Sequence, residues 1–311
     1  MLTLKLPKYA IVIKIRSTLR SVIRVRRITN FKGIPTKSAV NLSYKIYGEP
    51  TIYHEPPILL VHGLLGCKKH WDDIGKTIVN VVKKAVVSID LRNHGHSPHA
   101  NSHKYEDLVG DILILLDKLS IKRASLVGHC MGGKVVMGVS LAAPDKVAGL
   151  LVVDISPVST ARHSDSLPEI LVAMKNVDFK KAKKIRAAKK EVKKQLKPIV
   201  KDHHLLKAIL WNVIKKSNHK IGWACNLDIL VKHFKYIKSF PDIMRKQSFY
   251  GPTLFIGGQL SEYLPADDLP AIREMFPRAV VSYIPEVGHN LHFEDTKTFL
   301  EIAIAFLKTN K

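Results

Sequence analysis

The stretch Ala124-Ser-Leu-Val-Gly-His-Cys-Met-Gly-Gly-Lys134 begins as a short apolar run and continues as a glycine-rich turn. It has the form G-x-C-x-G, and in the serine version of this motif the reactive side chain lies on a sharp, strained turn between a strand and a helix. Glycines must flank that turn because the two backbones cross closely, and Gly128, Gly132 and Gly133 meet the requirement. We therefore predict that Cys130 occupies the nucleophile position, where a helix N-terminus favours its thiolate. The alternative is a buried structural cysteine.

A second motif, Leu59-Leu-Val-His-Gly-Leu-Leu-Gly66, is an apolar strand that opens into a glycine-containing loop. In a nucleophile-elbow architecture such a loop supplies one backbone N–H of the oxyanion hole, and the residue after the nucleophile supplies the other. The expected donors are the amides of Leu64 and Met131. We predict that His62, at the start of the loop, is structural and bonds to the loop backbone.

A third motif, Pro285-Glu-Val-Gly-His-Asn290, follows the last apolar run of the chain. A histidine here can lie over the sheet edge and exchange a proton with the nucleophile. Of the fifteen histidines, His289 is the one that satisfies the order of nucleophile first and histidine last. We predict that His289 is the catalytic base and that His292 contributes to packing or to the surface.

The acid that would orient His289 has several candidates. Asp154 is favoured because it ends an apolar strand, and a strand end is a rigid support. Asp228 is the second choice, and Glu262 and Asp267 follow.

The remainder of the chain alternates apolar strands with helical periodicity, which predicts an α/β fold with a mostly parallel central sheet and helices on both faces. The interval between Asp154 and Pro252 is too long for one crossover, so we predict a helical cap above the carboxyl edge of the sheet. The predicted organisation is a basic segment at 1–38, the first part of the core at 39–158, the cap at 159–248 and the second part of the core at 249–311.

The formal net charge of +24 is concentrated in two regions. Residues 1–48 contain no Asp or Glu, and their mixture of cationic and apolar residues is typical of a mitochondrial import sequence, with a merely basic, disordered N-terminus as the alternative. Between Lys175 and Lys201, twelve of twenty-seven residues are Lys or Arg, which predicts an amphipathic helix with a solvated basic face. We expect no nucleic-acid binding, because no nucleic-acid motif is present, but docking on an anionic membrane surface remains open.

Three cysteines without a CxxC pair indicate neither a zinc ribbon nor a disulfide framework, and they suit a reducing compartment. The absence of an apolar run of about 18 residues argues against a transmembrane helix. We expect no metal and no cofactor, because neither H-E-x-x-H nor an EF-hand loop occurs.

Taken together, these motifs resemble the α/β-hydrolase domain-containing protein 11 family and its bacterial esterase relatives, which have the α/β-hydrolase fold. The resemblance spans roughly residues 42–307. The matching segments are His62-Gly-Leu-Leu-Gly66, Asp90-Leu-Arg-Asn-His-Gly-His-Ser97, Leu126-Val-Gly-His-Cys-Met-Gly-Gly-Lys134, Val152-Val-Asp-Ile-Ser-Pro157, Asn226-Leu-Asp228, Gly251-Pro-Thr-Leu-Phe-Ile-Gly-Gly258, Phe276-Pro-Arg-Ala279 and Gly288-His289.

The resemblance implies a hydrolase in the mitochondrial matrix that acts on carboxylic esters, including acylglycerols, and a link to lipoylated 2-oxoacid dehydrogenases. It also implies His289 as the base, with the acid at Asp154 or Asp228. This chain departs from the family at Cys130, where serine is expected. We therefore expect an ester or thioester hydrolase with a Cys-His-acid triad, and the alternative is a catalytically weak or inactive protein that keeps the fold and binds a small acyl-ester or lipid.

Overall fold

The computed structural model describes residues 34, 38–48, 55–159, 166–180, 182, 184–216 and 219–310. Of the predicted targeting segment at 1–38, only Ile34 and Ser38 belong to this part of the chain, so the import prediction lies outside the described residues.

A seven-stranded sheet forms the centre of the molecule. Its strands are β1 (Tyr44–Tyr47), β2 (Ile58–Val61), β3 (Val86–Ile89), β4 (Ala124–His129), β5 (Val147–Val153), β8 (Thr253–Gly258) and β9 (Ala279–Ile284), and a separate antiparallel pair is formed by β6 (Val213–Lys215) and β7 (Ile221–Trp223). The order of the strands across the sheet is β1-β3-β2-β4-β5-β8-β9. β1 pairs antiparallel with β3 at one edge, and the other pairs are parallel.

Helices cover both faces of the sheet, which explains why the inner strands are largely apolar and buried throughout. The helices of the core are α1 (Asp72–Val82), α2 (Tyr105–Lys118), α3 (Met131–Ala142), α10 (Leu269–Met275), α11 (Leu291–Glu294) and α12 (Thr296–Thr309). α2 and α3 pack in one apolar cluster and α1 and α12 in the other. The predicted α/β-hydrolase architecture is confirmed.

The chain between β5 and β8 forms a cap of short helices, as the length of that interval suggests. Its helices are α4 (Leu167–Lys175), α5 (Ile185–Leu196), α6 (His203–Trp211), α7 (Leu227–Lys232), α8 (Phe234–Lys238) and α9 (Asp242–Arg245). α5 buries Ala188, Val192 and Leu196 and leaves its lysines outside, so the basic run is amphipathic over a shorter length than predicted. Within the part of the chain that the structure describes, no helix has the length and apolarity to span a membrane.

The strands β6 and β7 and the helices α1 and α11 were not predicted from the sequence. The β6–β7 pair lies within the interval predicted to be mainly helical, and its three-residue strands are too short to show a period of two. α1 was not predicted, although its apolar face is formed by Ile74 and Ile78, which pack on the sheet.

A buried ion pair holds the loop after β3 against α2. The guanidinium of Arg92 donates to both carboxylate oxygens of Asp111, through Nε to Oδ2 at 2.6 Å and through Nη2 to Oδ1 at 2.7 Å. Both side chains are inaccessible to solvent. The same loop carries His94, which contacts the candidate oxyanion loop. The ion pair therefore also helps to fix the position of the oxyanion loop.

Replacing Arg92 with leucine should lower the free energy of unfolding by about 3–5 kcal/mol, because it leaves the Asp111 carboxylate buried without its partner. The double variant Arg92→Leu/Asp111→Leu should recover most of that loss, since both charges are then gone. Urea unfolding followed by circular dichroism measures both effects. A double variant as unstable as Arg92→Leu would contradict this role of the ion pair.

Candidate active site

Cys130 lies on a sharp turn between β4 and α3. Its φ of 53° is in the left-handed region, and its N–H donates to the carbonyl of Val153 at 2.9 Å. A Cβ on Gly128 would lie 2.4 Å from the carbonyl oxygen of Gly132, and one on Gly132 would lie 2.5 Å from that of His62. The glycines of the motif are therefore required by the close crossing of the two backbones, and the turn leaves Cys130 half-buried at the wall of a cavity.

The loop after β9 brings His289 to this turn. The imidazole hydrogen-bonds the Cys130 side chain, and its Nδ1 lies 2.7 Å from Oδ2 of Asp154. The ring of Tyr263 stacks on the imidazole ring of His289, with the two centroids 3.8 Å apart. The three residues predicted as nucleophile, base and first-choice acid thus form one hydrogen-bonded chain.

Asp154 is positioned by its own turn at the end of β5, where its φ is 51°. The carboxylate is fully buried and accepts hydrogen bonds from the amide of Gly258 at 3.0 Å and from the hydroxyl of Ser261. These two donors fix the orientation of the oxygen that contacts His289. The sequence motifs did not single out Ser261 or Tyr263, since their contacts with the site become visible only in three dimensions.

The structure contradicts Asp228, the second choice for the acid that orients His289. Asp228 lies on α7 with its side chain 79% exposed, and its Oδ1 is 2.6 Å from Nζ of Lys175. Glu262 and Asp267 are both exposed. The carboxylate that hydrogen-bonds His289 is that of Asp154 alone among the residues that the structure describes.

Electrostatics in the site favour charge separation between sulfur and imidazole. Burial opposes the thiolate, but the charge and hydrogen bond of His289, with smaller contributions from the Met131 amide and the Lys134 ammonium, lower the pKa of Cys130 below its ordinary value. Burial also opposes the imidazolium, yet the Cys130 thiolate and the Asp154 carboxylate raise the pKa of His289 to about 10. Each group therefore stabilises the charged form of the other, which favours a thiolate–imidazolium pair.

The predicted oxyanion loop is a tight turn beside Cys130. The amide of Gly66 donates to the carbonyl of Gly63 at 3.0 Å, and Leu65 has a φ of 60°. Among the described residues the N–H of Leu64 has no acceptor, and the N–H of Met131 faces the Cys130 sulfur. Leu64 and Met131 also line the wall of one pocket together with Cys130.

Two buried histidines hold this turn. His62 lies next to the carbonyl of Gly63 through Nδ1 at 2.8 Å and accepts the amide of Leu91 on Nε2 at 3.0 Å, and Nε2 of His94 accepts the amide of Leu65 at 3.2 Å. Burial lowers the pKa of His62 to about 3 and that of His94 to about 4, so both rings are neutral. The prediction that His62 is structural is confirmed.

A cavity of about 500 Å³ opens over Cys130 and His289. Its wall is built from the oxyanion loop, the cap helices α4 and α6 and the loop after β9. It includes His62, Gly63, Leu64, Trp71, His129, Leu167, Ile170, Ile199, Val200, Leu205, Leu260, Tyr263, His292 and Phe293. His292 is buried and stacks on Trp71, in agreement with its predicted packing role. Within the described ranges, no group of three or more His, Cys, Asp or Glu side chains could hold a metal ion.

Alkylation of Cys130 by iodoacetamide should titrate with an inflection below the ordinary pKa of a thiol, because His289 stabilises the thiolate. The variant His289→Gln should move the inflection to higher pH, since only the smaller contributions of the Met131 amide and the Lys134 ammonium then oppose burial. Mass spectrometry of the labelled peptides measures both.

Cys67 and Cys225 are internal controls for this labelling. Burial raises the pKa of the Cys67 thiol, and it raises that of Cys225 to about 12. Faster labelling of either control, or an unchanged pH profile in His289→Gln, would contradict the ion pair.

Comparison with known proteins supplies the family. The family model described as alpha/beta hydrolase fold matches residues 56–296. The chain is 36% identical to the sn-1-specific diacylglycerol lipase ABHD11 of Danio rerio, over 88% of this chain and 84% of that protein, and 35% identical to the protein of the same name from Mus musculus, over 86% and 85%. Among solved structures, one titled marine microorganism esterase superposes with a TM-score of 0.76 at 32% identity, over 86% of this chain and all of the other. The chain therefore belongs to the α/β-hydrolase family, among the relatives named ABHD11.

Proposed function

We propose that this protein hydrolyses acyl thioesters and activated carboxylic esters, with Cys130 as nucleophile, His289 as base and Asp154 as the acid that orients it. The observation that carries the proposal is the hydrogen-bonded chain from Cys130 through His289 to Asp154, with its sulfur exposed to a large cavity. Relatives named as lipases, a solved structure titled as an esterase and the family model that matches this chain support ester-bond hydrolysis as the reaction class.

The reaction begins with attack of the Cys130 thiolate on the carbonyl carbon of the substrate. The carbonyl π pair moves to oxygen, and the amides of Leu64 and Met131 stabilise the resulting oxyanion. The bond to the leaving group then breaks as the His289 imidazolium protonates that group. The products of this half-reaction are the free alcohol or thiol and an acyl group bound to Cys130 as a thioester.

Water completes the cycle. The neutral imidazole of His289 takes a proton from the water as its oxygen attacks the thioester carbonyl. Collapse of the second tetrahedral intermediate expels the Cys130 thiolate and releases the carboxylic acid. The Asp154 carboxylate holds the ring in the orientation that both proton transfers need, and the imidazolium that alternates with the neutral ring is stabilised by the same contact.

Sulfur at the nucleophile position shapes the preferred substrate. A tetrahedral intermediate expels its better leaving group, and a thiolate leaves more readily than an alkoxide. Attack on an alkyl ester therefore tends to reverse, whereas a thioester or an activated ester presents a leaving group that competes with Cys130. Acyl transfer from thioesters is the chemistry that this site performs most readily.

The location and partners that the sequence suggests form part of the proposal. We place the protein in the mitochondrial matrix on the strength of its basic N-terminal segment. A lipoylated 2-oxoacid dehydrogenase, which the resemblance suggests as a partner, carries acyl groups as thioesters on its lipoyl arms. The exposed lysines of α5, which are Lys190, Lys193 and Lys194, are suited to binding an anionic membrane surface, with a gain of about 1 kcal/mol per cation.

Replacing Cys130 with alanine should reduce turnover of a thioester at least about a thousand-fold, because the covalent route is lost. Replacing it with serine should raise the ratio of ester to thioester turnover, since an alkoxide is the poorer leaving group. Hydrolysis of p-nitrophenyl acetate and of an N-acetylcysteamine thioester measures the two activities. Equal rates for the native protein and Cys130→Ala would refute the proposed nucleophile.

The variant Asp154→Asn should lower kcat by about a hundred-fold to ten-thousand-fold, because the amide no longer stabilises the imidazolium or selects its tautomer. Asp228→Asn is the matched control. It removes only an exposed ion pair, which is worth about 1 kcal/mol or less, so kcat should stay close to that of the native protein. A larger loss of kcat in Asp228→Asn than in Asp154→Asn would indicate that Asp228, and not Asp154, is the acid that orients His289.

A further inference from the structure

Two cavities of unequal size meet at Cys130. The large one has a volume of about 500 Å³ and the small one about 40 Å³. Cys130, Leu64, Leu167 and Tyr263 line both, so the reacting carbonyl lies at their junction. The rest of the small pocket is formed by Tyr105, Met131, Lys134, Ile155, Phe234, Ile237 and Lys238.

The position of His289 decides which part of the substrate lies in which cavity. His289 lines the large cavity and is absent from the wall of the small pocket. The leaving group must receive its proton from His289, so it has to lie on the side of the large cavity. The acyl chain extends from the other side of the carbonyl carbon, where the small pocket begins.

The volume of the small pocket limits the acyl chain. A cavity of roughly 10–15 Å³ holds one water molecule, and one of about 150 Å³ holds benzene. A pocket of about 40 Å³ therefore accepts two or three carbon atoms beyond the carbonyl, roughly a propionyl or butyryl chain.

The wall of the small pocket is tied to the core, which prevents it from expanding around a longer chain. α8 forms one side, and both of its last carbonyls are held by buried side chains. The hydroxyl of Tyr105 on α2 donates to the carbonyl of Ile237 at 2.8 Å, and Nζ of Lys134 on α3 donates to the carbonyl of Lys238 at 2.7 Å. Moving α8 outward would leave the hydroxyl and the ammonium buried without acceptors, which is costly.

We propose that the small pocket is the acyl site and that it selects short acyl groups, from acetyl to butyryl, while the large cavity receives a bulky thiol or alcohol. This inference rests on the proposed function, since it takes Cys130 as the nucleophile and His289 as the proton donor. Phe234 and Ile237 set the length limit, because their side chains project from the tethered helix into the pocket wall.

The test uses N-acetylcysteamine thioesters of acetyl, butyryl, octanoyl and dodecanoyl groups with the full chain. Both turnover and the formation of the acyl–Cys130 adduct, seen by intact-mass spectrometry, are measured. We expect kcat/KM to fall at least tenfold from butyryl to octanoyl, and the rate of adduct formation to fall in parallel.

Phe234→Ala should enlarge the small pocket and raise the octanoyl-to-acetyl ratio of kcat/KM at least tenfold. Phe293→Ala is the matched control, because, of the two cavities that meet at Cys130, Phe293 lines the large one and not the small one. It should leave the acyl-length ratio at the native value while changing the preference between a small and a bulky thiol leaving group. Ile237→Ala serves as a second enlargement should Phe234→Ala be poorly folded.

The outcomes separate the two proposals. Equal or better use of octanoyl and dodecanoyl thioesters by the native protein would overturn the acyl-pocket assignment and leave the proposed hydrolase function in place. An acyl-length ratio that responds to Phe293→Ala but not to either enlargement would place the acyl chain in the large cavity, with the same consequence. Absence of both adduct and product with every thioester would overturn the proposed function, and this inference with it.

Discussion

The close crossing of β4 and α3 is the constraint on which the site depends. The two backbones approach so closely that a methyl group at Gly128 or Gly132 would overlap carbonyl oxygens. The residue between them must then adopt a left-handed conformation, which costs about 1–3 kcal/mol for a residue other than glycine. That cost is offset by the parallel sheet around it, where β4 is buried along its whole length and pairs with β2 and β5. The side chain of Cys130 is exposed to the cavity as a direct consequence.

A second left-handed residue completes the arrangement on the neighbouring strand. Asp154 turns out of β5 with its amide still bonded to Ile256, so its carboxylate lies beside the end of β8. The amide of Gly258 and the hydroxyl of Ser261 then donate to this carboxylate, which also contacts Nδ1 of His289. The imidazole of His289 thus lies between two strained strand ends of one rigid sheet. These two contacts fix its orientation, and the loop that carries it has only to be long enough to bring it there. Preorganisation of this kind lets the site stabilise charge without rearranging during the reaction.

The sequence predicts the parts of the fold that repeat one simple pattern. The alternation of apolar strands with helices predicts the mostly parallel sheet, and β5 (Val147–Val153) contains no polar residue because it is buried on both faces. The nucleophile position and its histidine are readable because glycine spacing and chain order are local properties. The sequence favours Asp154 as the acid because of its position at a strand end. The contact of Asp154 with His289 and the ion pair of Asp228 with Lys175 depend on distant segments and are visible only in the structure. The small acyl pocket is equally invisible in the sequence, since α2, α3, α4 and α8 contribute to it from distant segments.

Burial alone would have made His289 a neutral, structural ring like its neighbours. His129 and His292 lie within 5 Å of each other in the same cavity wall, and burial lowers the pKa of both imidazoles well below the ordinary value. The ring of His289 is just as close, at 4.7 Å from His129, yet its pKa rises to about 10. The difference is the Asp154 carboxylate on one nitrogen and the Cys130 sulfur on the other, which stabilise the imidazolium more than desolvation opposes it. The neutral neighbours in turn add no positive charge that would compete for the thiolate, so the imidazole of this cluster whose protonation is favoured is the one in contact with the sulfur.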